Sequence, residues 1–178
     1  KAVQLALSRA ASHLKANASR EIRKEYAVSH ADLRMAENVN TRVSHSGLIQ
    51  EIIFSGNKLP LYRFSVSPKY PMYDKSKVIR QIISGKLRAV HPGKPVKVSI
   101  KKGSSGSISS RAFVAQMASG HIGVFHRDGK NTRAITERYA LAVPQMLGND
   151  DVKNSLVASA NEKFTERVEH EINRILSS

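Results

Sequence analysis

The residues best suited to chemistry in this sequence are six cations in its middle part. They lie in a stretch of alternating apolar and basic residues or in the segments beside it, and we call the surface they predict the basic surface: Lys86, Arg88, Lys94, Lys97, Lys101 and Lys102. Cations along one surface can neutralise a row of phosphates and release their counterions, or pair with an acidic protein. A solvated surface that only keeps the chain soluble is an equally simple interpretation.

The positive charge of the chain is concentrated in its middle. The 178 residues carry 29 Lys and Arg against 14 Asp and Glu, a formal net charge of +15. Residues 69–111 hold eleven bases and one acid, a net charge of +10, whereas residues 150–178 hold six acids and four bases, a net charge of −2. This polarity predicts one surface for a polyanion and another for protein.

Aromatic residues are scarce around the basic surface. Residues 69–111 include only Tyr70 and Tyr73, and the chain has no tryptophan. Proteins that bind single strands stack the bases on aromatic rings. If the partner is DNA, the residues therefore favour contact with the duplex backbone without sequence readout.

No group of residues has the pattern of a catalytic or metal site. The seven histidines are scattered and there is no cysteine, so neither His-Glu-x-x-His nor a thiolate zinc pattern occurs. Residues 103–106, Gly-Ser-Ser-Gly, have the spacing of the loop that clamps a nucleic-acid backbone in KH domains. They follow a predicted strand, however, and a flexible connection over 103–110 is the favoured interpretation. We expect no enzymatic activity, no cofactor and no metal.

Long amphipathic helices are predicted at both ends of the chain. Apolar residues recur every three or four positions from Ala2 to Ala27, and many are alanines that allow close packing. Ser29 is predicted to cap a second, short helix, with Asp32 three residues on. The last helix is predicted from about Asp151, with acids at its start. Its apolar stripe is Phe164, Val168, Ile172, Ile175 and Leu176, and the first three of these are expected to anchor it on the sheet.

The region between these helices has mostly the texture of strands. Two β-rich runs, residues 48–54 and 61–66, predict a hairpin joined by residues 55–57. Residues 76–84 have Val and Ile at helical spacing and predict a short helix. Residues 96–101 alternate apolar with basic or polar side chains, which predicts a half-buried strand with its cationic side exposed.

A further hairpin and a short helix are predicted after the flexible connection. Residues 113–117 and 122–126 flank a three-residue loop, 118–120, whose glycine can adopt a positive φ. Asp-Gly at 128–129 predicts the next turn. Pro144 suits the first turn of a helix, because its missing N–H is not needed there.

Terminal helices with strands between them predict an α+β fold, in which a mostly antiparallel sheet is packed by the long N-terminal and C-terminal helices. The length suits a single domain over residues 1–178. Within it we expect a helical N-terminal arm (1–38), a β-rich core (39–147) with a basic insert (69–111), and a C-terminal helix (150–178).

No membrane segment is expected. No apolar run approaches the roughly 20 residues that a bilayer-spanning helix needs, and the N-terminus lacks the pattern of a secretion signal. The sequence begins with Lys1 rather than Met, so residues before it are not excluded.

The segment from Ala112 to Leu147 resembles the most characteristic stretch of the bacteriophage minor tail protein Z family. The residues that match the family pattern are Phe113, Gly120, His121, Gly123, Val124, Phe125, Arg127, Tyr139, Val143, Pro144, Gln145 and Met146. The terminal helices look similar too, so the likeness is specific in the middle and loose at the ends. Ala134, Thr136 and residues 140–141 depart from the pattern, which affects the turn geometry expected there.

The resemblance implies a structural virion protein of a long-tailed phage or prophage, found at the tail–neck and, during assembly, in the host cytoplasm. Family members complete the tail at its head-proximal end and help join it to the head. The implied partners are copies of the chain in a ring, with six copies as one expected number, together with tail terminator or tail tube proteins, head–neck connector proteins and the DNA passing through the neck. The alternative is a free-standing basic DNA-binding protein, which explains the charge equally well.

Overall fold

The computed structural model describes residues 2–34, 40–46, 49–72, 79–83, 86–90, 93–128 and 134–177. The predicted turn glycine at 129 and both ends of the predicted helix over 76–84 lie outside these ranges. The fold is α+β, with long N-terminal and C-terminal helices and antiparallel strands, as the sequence predicts.

The chain forms two compact units. Unit 1 consists of Lys1–Lys58 and Leu141–Ser178, so it joins the two ends of the chain, and unit 2 consists of Leu59–Ala140. The boundaries expected after residues 38 and 147 do not coincide with these. The reason is that β-rich residues pack with the terminal helices in unit 1, whereas the boundaries were placed where the residue pattern changes.

The frame of unit 1 is a pair of long helices, α1 (Ala2–Glu25) and α4 (Asp150–Leu176). Ser155 Oγ, near the start of α4, donates to Glu21 Oε2, near the end of α1, at 2.6 Å. The pKa of Glu166, later in α4, is lowered chiefly by the hydrogen bond from Lys163, and also by the charges of Lys163, Arg167 and, from earlier in α1, His13. These pairs run in opposite directions, so the helices are antiparallel. Alanines in α1 allow the close approach, and the buried side chains of the two helices are Ala6, Ala10, Ala18, Ile22, Val152 and Leu156.

The short helices of unit 1 begin as predicted. In front of α2 (His30–Arg34), Ser29 Oγ accepts the Asp32 N–H at 3.1 Å, as an N-terminal cap does. Pro144 lies in the first turn of α3 (Val143–Leu147). There, the backbone N–H of Ala142 donates to Gln145 Oε1 at 2.9 Å, so that a side chain satisfies a donor at the helix start.

The apolar stripe of α4 does not anchor that helix as expected. The buried residues lie near its beginning, Val152 and Leu156, whereas Phe164 and Val168 are half-buried. Ile172, Ile175 and Leu176 are exposed, Leu176 at 80%. Helical spacing predicts which residues share a face, but it does not say how far along the helix a neighbour extends.

The β-hairpin of unit 1 pairs strands other than those predicted. β1 (Asn40–Ser46) pairs antiparallel with β2 (Ile49–Ser55), in a register that places Val43 opposite Ile52. The expected partner, residues 61–66, instead contains a 3-10 helix, Leu61–Arg63, and the start of a separate strand. The polar segment β1 is therefore the partner of β2. β2 also contacts α1 and α3, which cover one of its faces.

Unit 2 is built from small antiparallel sheets. After β3 (Lys58–Pro60), which the unit boundary crosses, β4 (Ser65–Ser67) pairs with β7 (Lys97–Ser99), and β7 pairs with β8 (Gly106–Ser107). The predicted flexible connection over 103–110 is therefore partly strand, because Gly106 and Ser107 complete the pairing of β7.

The helix predicted over residues 76–84 is wrong in its described part. Residues 79–83 form β5 (Ile79–Ile83), which pairs antiparallel with β6 (Lys86–Val90). A short apolar run fits either period. The β-branched residues favour a strand, and the following run supplies its partner.

The last sheet of unit 2 contains the hairpin predicted between residues 113 and 126. β9 (Ala112–Gln116) pairs with β10 (Ile122–Arg127), and β10 pairs with β11 (Ile135–Glu137). The next strand, β12 (Tyr139–Ala142), is not part of this sheet and pairs with β3. Gly120 has a φ of +86° in the connecting loop, as expected. The core of unit 2 lies between this sheet and β7, and its buried residues are Leu61, Val96, Val98, Ala112, Val114 and Val124.

Candidate functional site

The strand at the centre of the basic surface has the predicted geometry. Val96 and Val98 are buried in the core, at 0% and 7% exposure, while Lys97 between them is exposed. Lys101 and Lys102 follow in the turn after β7 and are exposed as well. Because side chains alternate along a strand, burial of the valines turns Lys97 outward.

Lys94 belongs to a second structural feature, a segment that precedes the core strands. Its backbone N–H donates to the Met72 carbonyl at 2.9 Å, and the hydroxyl of Tyr62 donates to the Lys69 carbonyl at 2.8 Å. Residues 69–72 are thus held at both ends by hydrogen bonds. Tyr70 is 64% exposed and Met72 is 47% exposed on this segment. We call Tyr70, Met72 and Lys94 the Tyr70 patch.

The other two residues of the basic surface lie elsewhere. Lys86 is exposed at the start of β6, and Arg88 is in the same strand, where the structure describes its backbone. β6 pairs with β5 in a sheet of its own. The structure therefore brings Lys97, Lys101 and Lys102 together on and after β7, and places Lys86 and Arg88 on another sheet.

Most family-pattern residues of the hairpin form a row on one face of the sheet: Phe113, His121, Gly123, Phe125 and Arg127. Val124, also in the pattern, lies on the opposite face and is buried in the core of unit 2. The rings of Phe113 and Phe125 lie opposite each other with centroids 6.4 Å apart. The Arg127 guanidinium lies 5.3 Å from the Phe113 centroid, a cation–π distance. At the other end, His121 meets the Phe125 ring edge-on at 6.3 Å. Residues 121, 125 and 127 share one face because they are separated by even numbers.

Glu137 completes this row, although sequence reasoning missed it. It lies opposite Phe125 in the register of β10 and β11, with His121 Nε2 2.8 Å from its Oε1 atom. The hydroxyl of Tyr139 donates to Glu137 Oε2 at 3.3 Å. The nearby negative charge, then partial burial and this hydrogen bond, raise the pKa of Tyr139. No signal in the sequence pairs residues 121 and 137, since the contact depends on strand register.

Gly123 lets the row close. A Cβ atom at this position would lie 2.6 Å from Glu137 Oε1 and 3.0 Å from the Phe125 ring. Both are closer than side chains normally pack. The glycine therefore serves the packing of a carboxylate and a ring against the strand, and its role is structural rather than chemical.

The remaining family-pattern residues lie apart from the row. Gly120 is in the loop of the hairpin, and Val143, Pro144 and Met146 belong to α3 in unit 1. Val143 and Met146 are buried, at 3% and 0% exposure. These residues build the core of unit 1 and the entry into its helices.

β2 carries an exposed face that the sequence reasoning did not single out. Ile49 is 70% exposed and Ile53 is 47% exposed, with exposed Glu51 between them. Ile52 and Phe54, on the other face, are half-buried. We call Ile49, Glu51 and Ile53 the β2 outer face. The run 48–54 is β-rich but does not alternate apolar with polar residues, so the sequence gave no signal for which isoleucines would be exposed.

The histidines are distributed among separate polar contacts. His13 lies 2.7 Å from Asn17, His30 lies 3.0 Å from Ser19, and His126 lies 3.5 Å from Asp128. Within the described ranges, no group of three or more His, Cys, Asp or Glu side chains is placed to hold a metal ion. Among the described helices, none has both the length and the apolar character to cross a membrane.

Comparison with known proteins adds no relative. A scan against models of protein families gave no match, and searches of curated proteins and of solved structures gave none. The resemblance to the minor tail protein Z family thus depends on the residues quoted above.

Proposed function

We propose that this protein is a structural subunit of a phage or prophage tail that assembles as a ring at the head-proximal end and helps join tail to head. The observation that supports this best is the exposure of large apolar side chains on two unlike surfaces of unit 1. One is the β2 outer face and the other is the end of α4, at Ile172, Ile175 and Leu176. Exposed apolar patches mark interaction sites.

Two unlike surfaces suit a ring subunit. A closed ring uses two different patches of each copy, and the ring must also contact other proteins. We assign the β2 outer face to the contact between copies and the end of α4 to the other tail proteins. The proposed partners are copies of the chain, tail terminator or tail tube proteins, and head–neck connector proteins. The proposed location is the tail–neck of the virion, with assembly in the host cytoplasm.

The hairpin adds support from the resemblance. Phe113, Phe125 and Arg127 of the family pattern form one packed row, with Gly123 where the row needs close approach. If the chain and the family share a fold, we expect them to share the residues that pack this hairpin.

Electron microscopy of the purified protein tests this proposal. We expect annular particles by negative staining, with a mass in sedimentation equilibrium that is a multiple of the 19.6 kDa chain. A monomer at every concentration, with no annular particles, would overturn it.

A second candidate function is duplex binding by a free-standing protein. The observation in its favour is the cationic side of β7 and its turn, where Lys97, Lys101 and Lys102 are exposed. A gel shift at near-physiological salt separates the two candidates. Tight binding by a monomer favours the DNA-binding protein, whereas weak binding by an assembled ring favours the tail subunit.

A further inference from the structure

The β2 outer face and the Tyr70 patch have complementary chemistry. The face in unit 1 has two exposed isoleucines on either side of a carboxylate. The patch in unit 2 has an exposed tyrosine and methionine, and exposed Lys94 is joined to Met72 by a backbone hydrogen bond. Each surface therefore offers apolar area together with a charge, and the charges are opposite.

Both surfaces are held in place before any partner binds. β2 pairs with β1 along its whole length and contacts α1 and α3 on its other side. The Tyr70 patch is held by the bond from Lys94 to the Met72 carbonyl and by the bond from Tyr62 to the Lys69 carbonyl. Surfaces that are already ordered lose little conformational entropy on binding.

We propose that the β2 outer face of one copy of this chain docks on the Tyr70 patch of the next copy. Ile49 and Ile53 pack against Tyr70 and Met72, and Glu51 pairs with Lys94. This contact is heterologous, since it joins two different patches, and repetition of such a contact with closing rotation generates a ring.

A second copy fits the β2 outer face better than a nucleic acid does. A carboxylate between two isoleucines repels phosphate and offers no donor to it, whereas the Tyr70 patch supplies both apolar area and a cation. The chain carries +15 overall, so copies repel one another, and local pairing of unlike charges decides which surfaces meet. Lys97, Lys101 and Lys102 take no part in this contact.

The inference rests on the proposed function, because it names the contact that would build the ring. Three double variants of the full chain test it. One breaks the β2 outer face (Glu51→Lys with Ile53→Ser), and one breaks the Tyr70 patch (Met72→Ser with Lys94→Glu). The third is a matched control at the end of α4 that also removes one exposed acid and one exposed isoleucine (Glu169→Lys with Ile175→Ser).

Sedimentation velocity is measured for each variant alone and for a 1:1 mixture of the first two. We expect the parent and the control to form the same assembly, and each of the first two variants to sediment as a monomer at the same concentration. The mixture should form a two-chain species and stop there. In that species the intact Tyr70 patch of one variant binds the intact β2 outer face of the other, and the two surfaces left over are both broken.

The outcomes separate this inference from the proposed function. If the parent assembles and both broken variants also assemble, or if their mixture stays monomeric, this docking is wrong while a ring subunit still stands. If only the α4 control fails to assemble, the contact between copies lies at the end of α4, and the docking is overturned. If the parent never assembles, the proposed function fails, and the docking with it.

A folding check keeps the result interpretable. At a concentration where the parent is dissociated, circular dichroism melting of each variant should match the parent, because every changed side chain is exposed. If the β2 variant melts early, Ile49→Thr replaces it, since threonine is β-branched and keeps the strand. That single change should weaken the assembly without changing the melting temperature of the dissociated chain, and an unchanged assembly would count against the docking.

Discussion

β2 and β7 are both short antiparallel strands with alternating inner and outer residues, yet their outer faces differ. β7 buries Val98 and exposes Lys97 on a cationic side. β2 half-buries Ile52 and Phe54, and exposes Ile49 and Ile53. A cation on an outer face is satisfied by water, but an isoleucine there has no favourable interaction with solvent. The comparison suggests that β7 meets solvent or a polyanion and that β2 meets protein.

Replacing an inner residue of β7 and an outer residue of β2 with aspartate should give the largest difference in unfolding free energy. Val98→Asp buries an unpaired charge in the core of unit 2, so we expect a loss of more than about 4 kcal/mol in unfolding free energy. Ile53→Asp places the charge in solvent and should cost less than about 1 kcal/mol. Urea denaturation measures both. Equal losses would mean that Ile53 is not an outer residue.

Two glycine-to-alanine substitutions in unit 2 test how tightly the row of side chains on β10 is packed. Gly123→Ala forces Glu137 and the Phe125 ring to move, and we expect a cost of about 1–3 kcal/mol. Gly106→Ala in β8 is the control, since its added Cβ would meet nothing within 4 Å. The control should be close to neutral by thermal denaturation. If Gly123→Ala does not change the stability, Glu137 and the Phe125 ring can move aside at no cost, and the row is not tightly packed.

The support beneath β2 can be weakened without touching its outer face. Glu21 in α1 is buried, and burial raises the pKa of its carboxyl. Hydrogen bonds from Lys24 and Ser155 and the charges of Lys24 and Arg20 lower the pKa by more than burial raises it. The pKa of Glu21 is therefore below its ordinary value of 4.5. Because the folded-state pKa is the lower one, ionised Glu21 adds stability above the unfolded-state pKa. That stability is lost as the pH falls through the folded-state pKa.

Glu21→Gln should therefore lower stability by about 1–2 kcal/mol at neutral pH. The difference from the parent should shrink as the pH falls below 4.5, the ordinary value. Melting temperatures of both proteins across this pH range measure the effect. A difference that is independent of pH would mean that the charge of Glu21 does not stabilise the α1–α4 pair.

The cationic side of β7 should give the smallest effect on stability. Lys97→Glu, Lys101→Glu and Lys102→Glu together should change the unfolding free energy by about 0.5 kcal/mol or less for each exposed site. They should abolish retention on a DNA column at low salt, because phosphate contacts are replaced by repulsion. Unchanged retention would remove duplex binding as the role of this side and leave a solvated surface.

The sequence predicted the elements whose signals are local. The 3–4 spacing of the alanines in α1, the alternation around Val96 and Val98, and the glycine at 120 each specify a period or a backbone conformation within a few residues. All of these predictions are confirmed by the structure. The cap at Ser29 and the helix start at Pro144 are local in the same sense.

The errors concern partners. Residues 61–66 are β-rich but do not pair with β2, and residues 79–83 carry a helical spacing but form a strand. In each case the outcome depends on which other segment offers hydrogen bonds. Glu137 was missed for the same reason, because its position next to His121 follows from the register of β10 and β11.

The helical and strand periods, the caps and the turn glycine could be predicted because each depends on residues close together in the chain, and the distribution of charge can be counted directly. The tertiary structure decided which strands pair, how far α4 is covered, and which apolar faces stay bare at Ile49, Ile53 and Leu176. Burial and strand pairing depend on segments that are distant in sequence, and the periodicity of one segment does not specify which other segment packs against it.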